Sequence, residues 1–381
     1  MTVKKVFRRA VPLCAAAAAL MLGAVAAPAG AAPTGAAPTV SSPSFPGRLS
    51  GVTAISAGDV WAVGLTNGGT LELHWNGSTW VKYPIYNGFF DSAAASSAHD
   101  AWAVGGTNWF SPTQTLAYHW NGKSWTRIRT PNPRGGGYLN AVAATSPSNA
   151  WAVGQAGPGP GSTGPIFPLI ERWNGKGWTE QSFPVTPGGG GFGGVAATSA
   201  SNAWAVGFAD EGTGRQTMID HWNGKGWTRV PSPNLPGASS SSLSSVTVIS
   251  NSSAWAVGSA TVGNVSRTLI MHWDGTRWTI VPSSTPGGDA ELLGVLATWT
   301  HNIWAFGMSY PSNCGRGPTC QTVIEHWNGK RWKVLPSPNP PGSSLDILFN
   351  ASAISRGDIW AVGTTDYNST LIVHWNGESW S

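Results

Sequence analysis

The carboxylates that could serve acid–base chemistry stand in two places: Asp210 beside Glu211, and Asp289 two residues before Glu291. Two carboxyl groups flanking a glycosidic bond supply a proton donor and a base or nucleophile, so these four are the residues with which the chain could cut a polysaccharide. No acid pair recurs at a fixed spacing, and the other acids are scattered. Six histidines, His74, His119, His221, His272, His326 and His374, sit in repeats of His-Trp-Asn/Asp-Gly; Arg172 takes this place in a seventh copy, so imidazole chemistry is dispensable there. Cys314 and Cys320 flank five residues rich in Gly and Pro. In an oxidising compartment they are expected to form a disulfide closing that loop. A redox pair or half a metal site finds no further cysteine or neighbouring histidine, so neither metal nor cofactor is expected.

The elements that position these residues are repeats. Trp-Ala-Val-Gly stands at Trp61, Trp102, Trp151, Trp204, Trp255 and Trp360, with Trp304-Ala305-Phe306-Gly307 as a seventh copy. Each is followed by the His-Trp-Asn-Gly unit and, three residues past its glycine, by another tryptophan: Trp80, Trp125, Trp178, Trp227, Trp278, Trp332 and Trp380. Of 23 tryptophans only Trp109 and Trp299 fall outside this pattern. A single register for so many aromatic rings is expected of residues that pack one repeat on the next, rather than of a sugar-stacking surface.

One unit, Leu243 to Pro282, reads as four short strands: Ser245–Ile249, Ala254–Gly258, Thr268–Trp273 and Trp278–Val281, with Asp274-Gly275 expected to form a type I′ hairpin turn. Four strands in a period of about 50 residues make an all-β chain, a seven-bladed β-propeller of four-stranded antiparallel blades. The chain stops at Trp380-Ser381, where a fourth strand should begin, and Val40–Gly47 aligns with Val230–Gly237 of blade four. The N-terminal segment is therefore expected to complete the outer strand of the last blade and close the ring, which removes open sheet edges.

Residues 1–31 read as a secretory signal peptide: Lys4, Lys5, Arg8 and Arg9, then an apolar run, then Ala29-Gly30-Ala31. Residues 32–38 read as a flexible mature N-terminus and 39–381 as the propeller. The chain is expected to be secreted and extracellular, a monomer, with no membrane insertion. Its net charge of +5 comes mostly from the leader; without those four cations 18 basic residues face 17 acidic ones. No basic run remains, so nucleic acid is not an expected partner.

The Gly-x-x-Trp turn between third and fourth strands resembles the Asp-box of sialidase-like propellers. The Trp-Ala-Val-Gly strand resembles propellers of the photosystem-assembly-factor type and their BNR and YVTN-like relatives. As a whole, the chain is similar to secreted, tryptophan-rich propellers of actinobacteria. The resemblance spans nearly all of the mature chain and implies the fold. The acid that defines an Asp-box is replaced by Trp75, Trp120, Trp173, Trp222, Trp273, Trp327 and Trp375, and no position matches the sialidase arginines or tyrosine.

The first strand of each blade should line the channel with small or aliphatic residues, such as Gly51–Ala54, Ala93–Ala95, Ala141–Ala144 and Gly194–Ala197, without carboxylate, histidine or lysine. Asp59, Asp100, Asn149, Asn202, Asn302 and Asp358, two residues before the tryptophans, are expected to form turns. Variation is confined to the loops after strands two and four, which emerge on one face. Candidate ligand contacts there are Phe89, Phe90, Trp109, Phe110, Tyr138, Asp210, Glu211, Arg215, Tyr310, Arg316, Asp366 and Tyr367, with Tyr86, Asp91 and Arg134 beside them. Exposed aromatics among a few charges suit a non-catalytic module that binds an extracellular glycan or protein. The competing expectation is a polysaccharide hydrolase or lyase.

Overall fold

The structure, a computed structural model, describes residues 43–381 apart from 85, 109–112, 134, 158–163, 185, 213 and 311–319. The expected leader, residues 32–42, Trp109, Phe110, Arg134, Cys314 and Arg316 lie outside this description. The described chain forms seven antiparallel sheets in which each strand pairs with its neighbour in sequence. The inner strands are Arg48–Ser56, Phe89–Ser97, Gly137–Ser146, Gly190–Ser199, Ala238–Ser250, Ala290–Trp299 and Asp346–Ser355. Each packs beside the inner strand of the next blade, and the seventh beside the first. The all-β, seven-bladed propeller read from the repeats is the fold.

The second strand of each blade has a sheet on either side. Val60, Trp61, Ala62 and Val63 are all 0% exposed, which is why the Trp-Ala-Val-Gly strand carries no alternating polar residue. Its glycine is required by a bulge in the inner strand, between Leu49 and Gly51 in blade one. A Cβ on Gly64 would stand 2.0 Å from the Arg48 carbonyl oxygen, and one on Gly307 would stand 1.9 Å from that of Glu291.

The tryptophans join blades, as their common register implied. Trp61 of blade one lies 4.7 Å from Trp120 and 5.1 Å from Trp125 of blade two, centroid to centroid, and stacks on His74 of its own blade at 4.2 Å. The same set recurs at each boundary, through Trp360 with Trp75 and Trp80 between blades seven and one. In blade three Arg172 replaces the histidine and lies over Trp151 at 4.8 Å and Trp222 at 5.2 Å. Offset and edge-on aromatic pairs of this kind add about 0.5–1.5 kcal/mol each beyond the area they bury.

Closure follows the expected route in the described residues. At one end of the third strand of blade seven, His374 and Ser381 exchange backbone hydrogen bonds. At the other, Gly47 N–H donates to Asn368 O at 2.7 Å and Thr370 N–H to Phe45 O at 2.8 Å. Phe45 N–H also donates to the Thr370 hydroxyl at 2.8 Å, just as Tyr86 N–H donates to Thr70 in blade one at 3.0 Å. Both ends of the described residues thus share the outer position of one blade.

One turn differs from its expected type. A type I′ turn needs positive φ at both central residues, but in Asp274-Gly275 only Gly275 has it, at 96°. Asp274 instead accepts from the backbone N–H groups of Thr276 and Arg277 through its carboxylate. Positive φ at two successive non-glycine residues occurs at Asp366 and Tyr367, at 50° and 62°.

Candidate functional site

The longer connections, after strands two and four, emerge on one face, the loop face; the short turns after strands one and three form the other. Phe89, Phe90 and Tyr138 do not reach the loop face: they are 1%, 0% and 9% exposed. The inner strands begin earlier than their runs of small residues, so these aromatics are strand residues between blades. The Phe89 ring meets that of Tyr138 at 6.0 Å, and Phe90 meets Tyr118 at 5.5 Å. Tyr86 is likewise half-buried against Tyr118.

At the tip of blade four, Arg215 pairs with Asp210 at 3.5 Å and lies over the Phe208 ring at 4.0 Å, with Glu211 exposed beside them. The Asp210 carboxylate thus has Arg215 as its partner, and among the described residues Glu211 meets no second charged group in the same blade tip.

Asp289 and Glu291 are brought together with Tyr310. Ser266 N–H donates to Asp289 at 2.9 Å, and Ser266 Oγ to Glu291 at 3.3 Å. Tyr310 N–H donates to the Asp289 carbonyl at 2.6 Å, and its phenol donates to the Glu291 carboxylate. Burial raises the Glu291 carboxyl, and the charge on Asp289 raises it further, against the hydrogen bonds of Ser266 and Tyr310. Burial also raises Asp289 and, with the nearby carboxylates and Tyr367, the Tyr310 phenol. Low local polarity is what disfavours the charged forms.

Tyr367 is the prominent exposed group of this sector, 64% exposed. Its neighbour Asp366 accepts from Ser344 N–H at 2.7 Å and Ser344 Oγ at 2.8 Å, which hold its carboxyl below the usual range. These bonds pin the turn from the connection between blades six and seven. Between blades six and seven the same turn borders a shallow cleft of about 370 Å³, lined in part by Ser44, Pro340, Ser343 and Asp366.

The channel rim is not free of ionisable groups. Arg48, on the first inner strand, pairs with Asp91 on the second at 3.3 Å, and lies 5.4 Å from the centre of the Phe349 ring on the seventh. Glu291 is the second residue of the sixth inner strand and Asp346 the first of the seventh. The sequence reading started these strands inside the bulge and missed the residues before it.

Two polar sets inside the blades were also missed. The Asp and Asn residues before the tryptophans do more than turn the chain: Asp59, Asp100 and Asp358 meet His74, His119 and His374 at 2.7–2.8 Å, and Asn202 meets His221 at 2.7 Å. The second set is acids on the third strands. Glu171 and Glu325 are 0% exposed, and neither has a hydrogen-bond partner in the protein for either carboxyl oxygen. Burial pushes Glu325 up to about 8 and Glu72 up to about 7. Asp220, in the same register, pairs with Arg229.

Cys320 is 4% exposed and packs among Met308, Leu345 and Ile347, with Tyr310 against them. Its backbone joins the seventh inner strand through Asp346 N–H at 3.0 Å. The expected bond to Cys314 lies outside the described residues.

No protein-family model matches the chain, and no curated protein matches it. In fold it is similar to YCF48 from Cyanidioschyzon merolae, with a TM-score of 0.56 and 19% identity over 90% of this chain and 100% of that one. It is similar also to YCF48 bound to D1 peptide, at 0.55 and 15% over 88% and 99%. A third neighbour is an ulvan lyase, a polysaccharide lyase bound to GlcA(1-4)Rha3S, at 0.56 and 10% over 88% and 95%. At these identities the likeness establishes one thing, that the chain is a β-propeller.

Proposed function

We propose that the protein is a secreted, non-catalytic binding propeller that recognises an extracellular glycan or peptide through its loop face. The observation that carries this reading is Tyr367. An aromatic residue 64% exposed is held at a φ of 62°, a conformation that costs an L-residue roughly 1–2 kcal/mol. The Ser344–Asp366 bonds hold the turn in place, so the backbone that carries the ring is set without a ligand. A pre-placed aromatic loses little freedom on binding, which favours affinity. Structural neighbours bound to a peptide and to an acidic disaccharide support the choice of ligand classes. The test is a glycan array and a peptide library probed with the parent and Tyr367→Ala proteins. Ligands retained equally by both would remove Tyr367 from the site.

A second reading, a polysaccharide hydrolase or lyase, is favoured by one cluster. Asp289, Glu291 and Tyr310 combine a carboxyl raised by burial with a hydrogen-bonded phenol, groups able to move a proton at a sugar ring. Release of reducing ends or unsaturated sugars that disappears in Glu291→Gln would establish this reading over the first.

A further inference from the structure

The short-turn face has a charge pattern of its own. The turn after the third strand carries Lys123 in blade two, Lys176 in three, Lys225 in four, Arg277 in five, and Lys330 with Arg331 in six; all are exposed. Blades one and seven break the series with Ser78 and Glu378. Among the described residues the only ion pair in the set is Arg277 with Asp274, at 3.8 Å in its own turn. Asp59, Asp100 and Asp358 are already engaged with histidines, which leaves Asp274 and Glu378 as the acids opposing the arc. The turns are firmly seated. In blades two and six the tip glycine lies on the preceding turn so closely that a Cβ would meet the ring of His99 at 2.3 Å or the side chain of His301 at 3.0 Å.

Trp299 joins this face from the end of the sixth inner strand. In the other six blades the position is serine, and Ser97, Ser146, Ser199, Ser250 and Ser355 each accept the N–H two residues on. Blade six has lost that turn bond and gained an indole 61% exposed. Arg356, in the equivalent turn of blade seven, lies 4.9 Å from its ring centre. The cation covers one side of the indole, while most of the residue stays exposed.

We propose that this short-turn face binds a linear acidic polysaccharide in which charged and neutral sugars alternate, tracking the arc of cations from blade two to blade six and stacking one ring on Trp299. The spacing selects this class. Sheets stacked face to face lie about 10 Å apart and the blades diverge outward, so the arc offers roughly one cation per 10 Å or more, too sparse for the phosphates of a nucleic acid, which carry one charge per about 1.7 Å of duplex. A chain charged at every second ring matches it better. The arc is open at blades seven and one, which fits a strand with two free directions rather than a closed ring. An apolar sugar face stacks on the Trp299 indole while the carboxylates meet the lysines.

Hyaluronan, a polymer of alternating uronate and neutral sugar, is the probe, with its methyl ester as the uncharged control. The purified protein is expected to bind hyaluronan at low salt and release it as salt rises, and to ignore the ester. A triple variant, Lys123→Gln with Lys176→Gln and Lys225→Gln, should bind roughly tenfold or more weakly with a shallower salt dependence. Trp299→Ser, which restores the residue of the other six blades, should weaken binding several-fold with the salt slope unchanged and the fold intact. Tyr367→Ala should leave hyaluronan binding as it is, so this proposal and the loop-face reading fail separately. Absence of hyaluronan binding, equal binding of the ester, undiminished binding by either arc variant, or tighter binding to single-stranded DNA or phosphatidylserine vesicles would each overturn it.

Discussion

Trp360 of the last blade packs edge-on against Trp80 of the first, ring centroids 5.4 Å apart and planes at 84°. The contact repeats the geometry of the internal boundaries, such as Trp204 with Trp278 at 5.3 Å and 83°. The closing boundary is therefore built to the same pattern as those within the chain, and what distinguishes it is the shared outer strand of blade seven.

Deleting residues 39–47 should accordingly expose the third strand of blade seven and lower the melting temperature sharply, whereas deleting 32–37 should change little. Thermal unfolding of the two shortened chains measures this. Equal, small shifts would mean that the bonds of Phe45 and Gly47 to blade seven contribute nothing to closure.

Trp222→Ala should destabilise the fold by ~3–5 kcal/mol through the cavity it leaves. Trp222 is 7% exposed, lies 5.0 Å from Trp151, and donates its indole N–H to the Ala200 carbonyl at 3.0 Å. Denaturant titration of the variant checks the figure, and a loss below about 1 kcal/mol would show that the neighbouring blades collapse into the space.

Stability should fall as pH rises from about 4.5 to about 8. Glu325 has a folded value near 8, against 4.5 when unperturbed, because burial disfavours its charge. A raised acid contributes fully below the unfolded value and loses that contribution as pH climbs through the folded one. Glu72, raised to about 7, acts in the same direction. Glu325→Gln should flatten the slope and stabilise the protein on the alkaline side by an amount of the order of a few kcal/mol. Melting curves for parent and variant across this window provide the measurement; an unchanged slope would mean that Glu325 is solvated in solution.

Tyr367→Gly should separate binding from stability. Glycine accepts positive φ without steric cost, so the fold should be unchanged or more stable by up to about 1 kcal/mol. Ligand binding at the loop face should weaken by ~1–3 kcal/mol, the scale of an aromatic anchor. Parallel calorimetry and binding assays decide it, and a variant that binds normally would make the strained turn a local accident of packing.

The repeating framework was legible in the sequence because its signal is periodic: the same tryptophans, turn glycines and strand lengths return seven times. The pairing of His119 with Asp100 was hidden for a different reason. These residues are 19 apart in the chain, and both also suit a turn, so nothing local distinguishes a turn former from a hydrogen-bond partner. Phe89 and Tyr138 read as loop residues because the inner strands continue through a bulge, between Phe90 and Ser92 and between Leu139 and Ala141, past their runs of alanines. The grouping of Glu291 with Tyr310 depends on how the start of one strand is paired with the end of the next, and that register is a property of the sheet rather than of either segment. Trp299 was visible as an exception to the pattern, but its meaning lay in the serines it replaces.

The shared outer strand of blade seven also sets an order of events. Phe45 and Gly47 are made early, and their partners, Thr370 and Asn368, come more than 320 residues later. Until those residues have been synthesised, the early blades have no partner for their open flank and the N-terminal segment has nowhere to pair. Contacts of such long sequence separation form late. The ring therefore stays an unclosed arc until the last blade is made, and closure is timed by that blade.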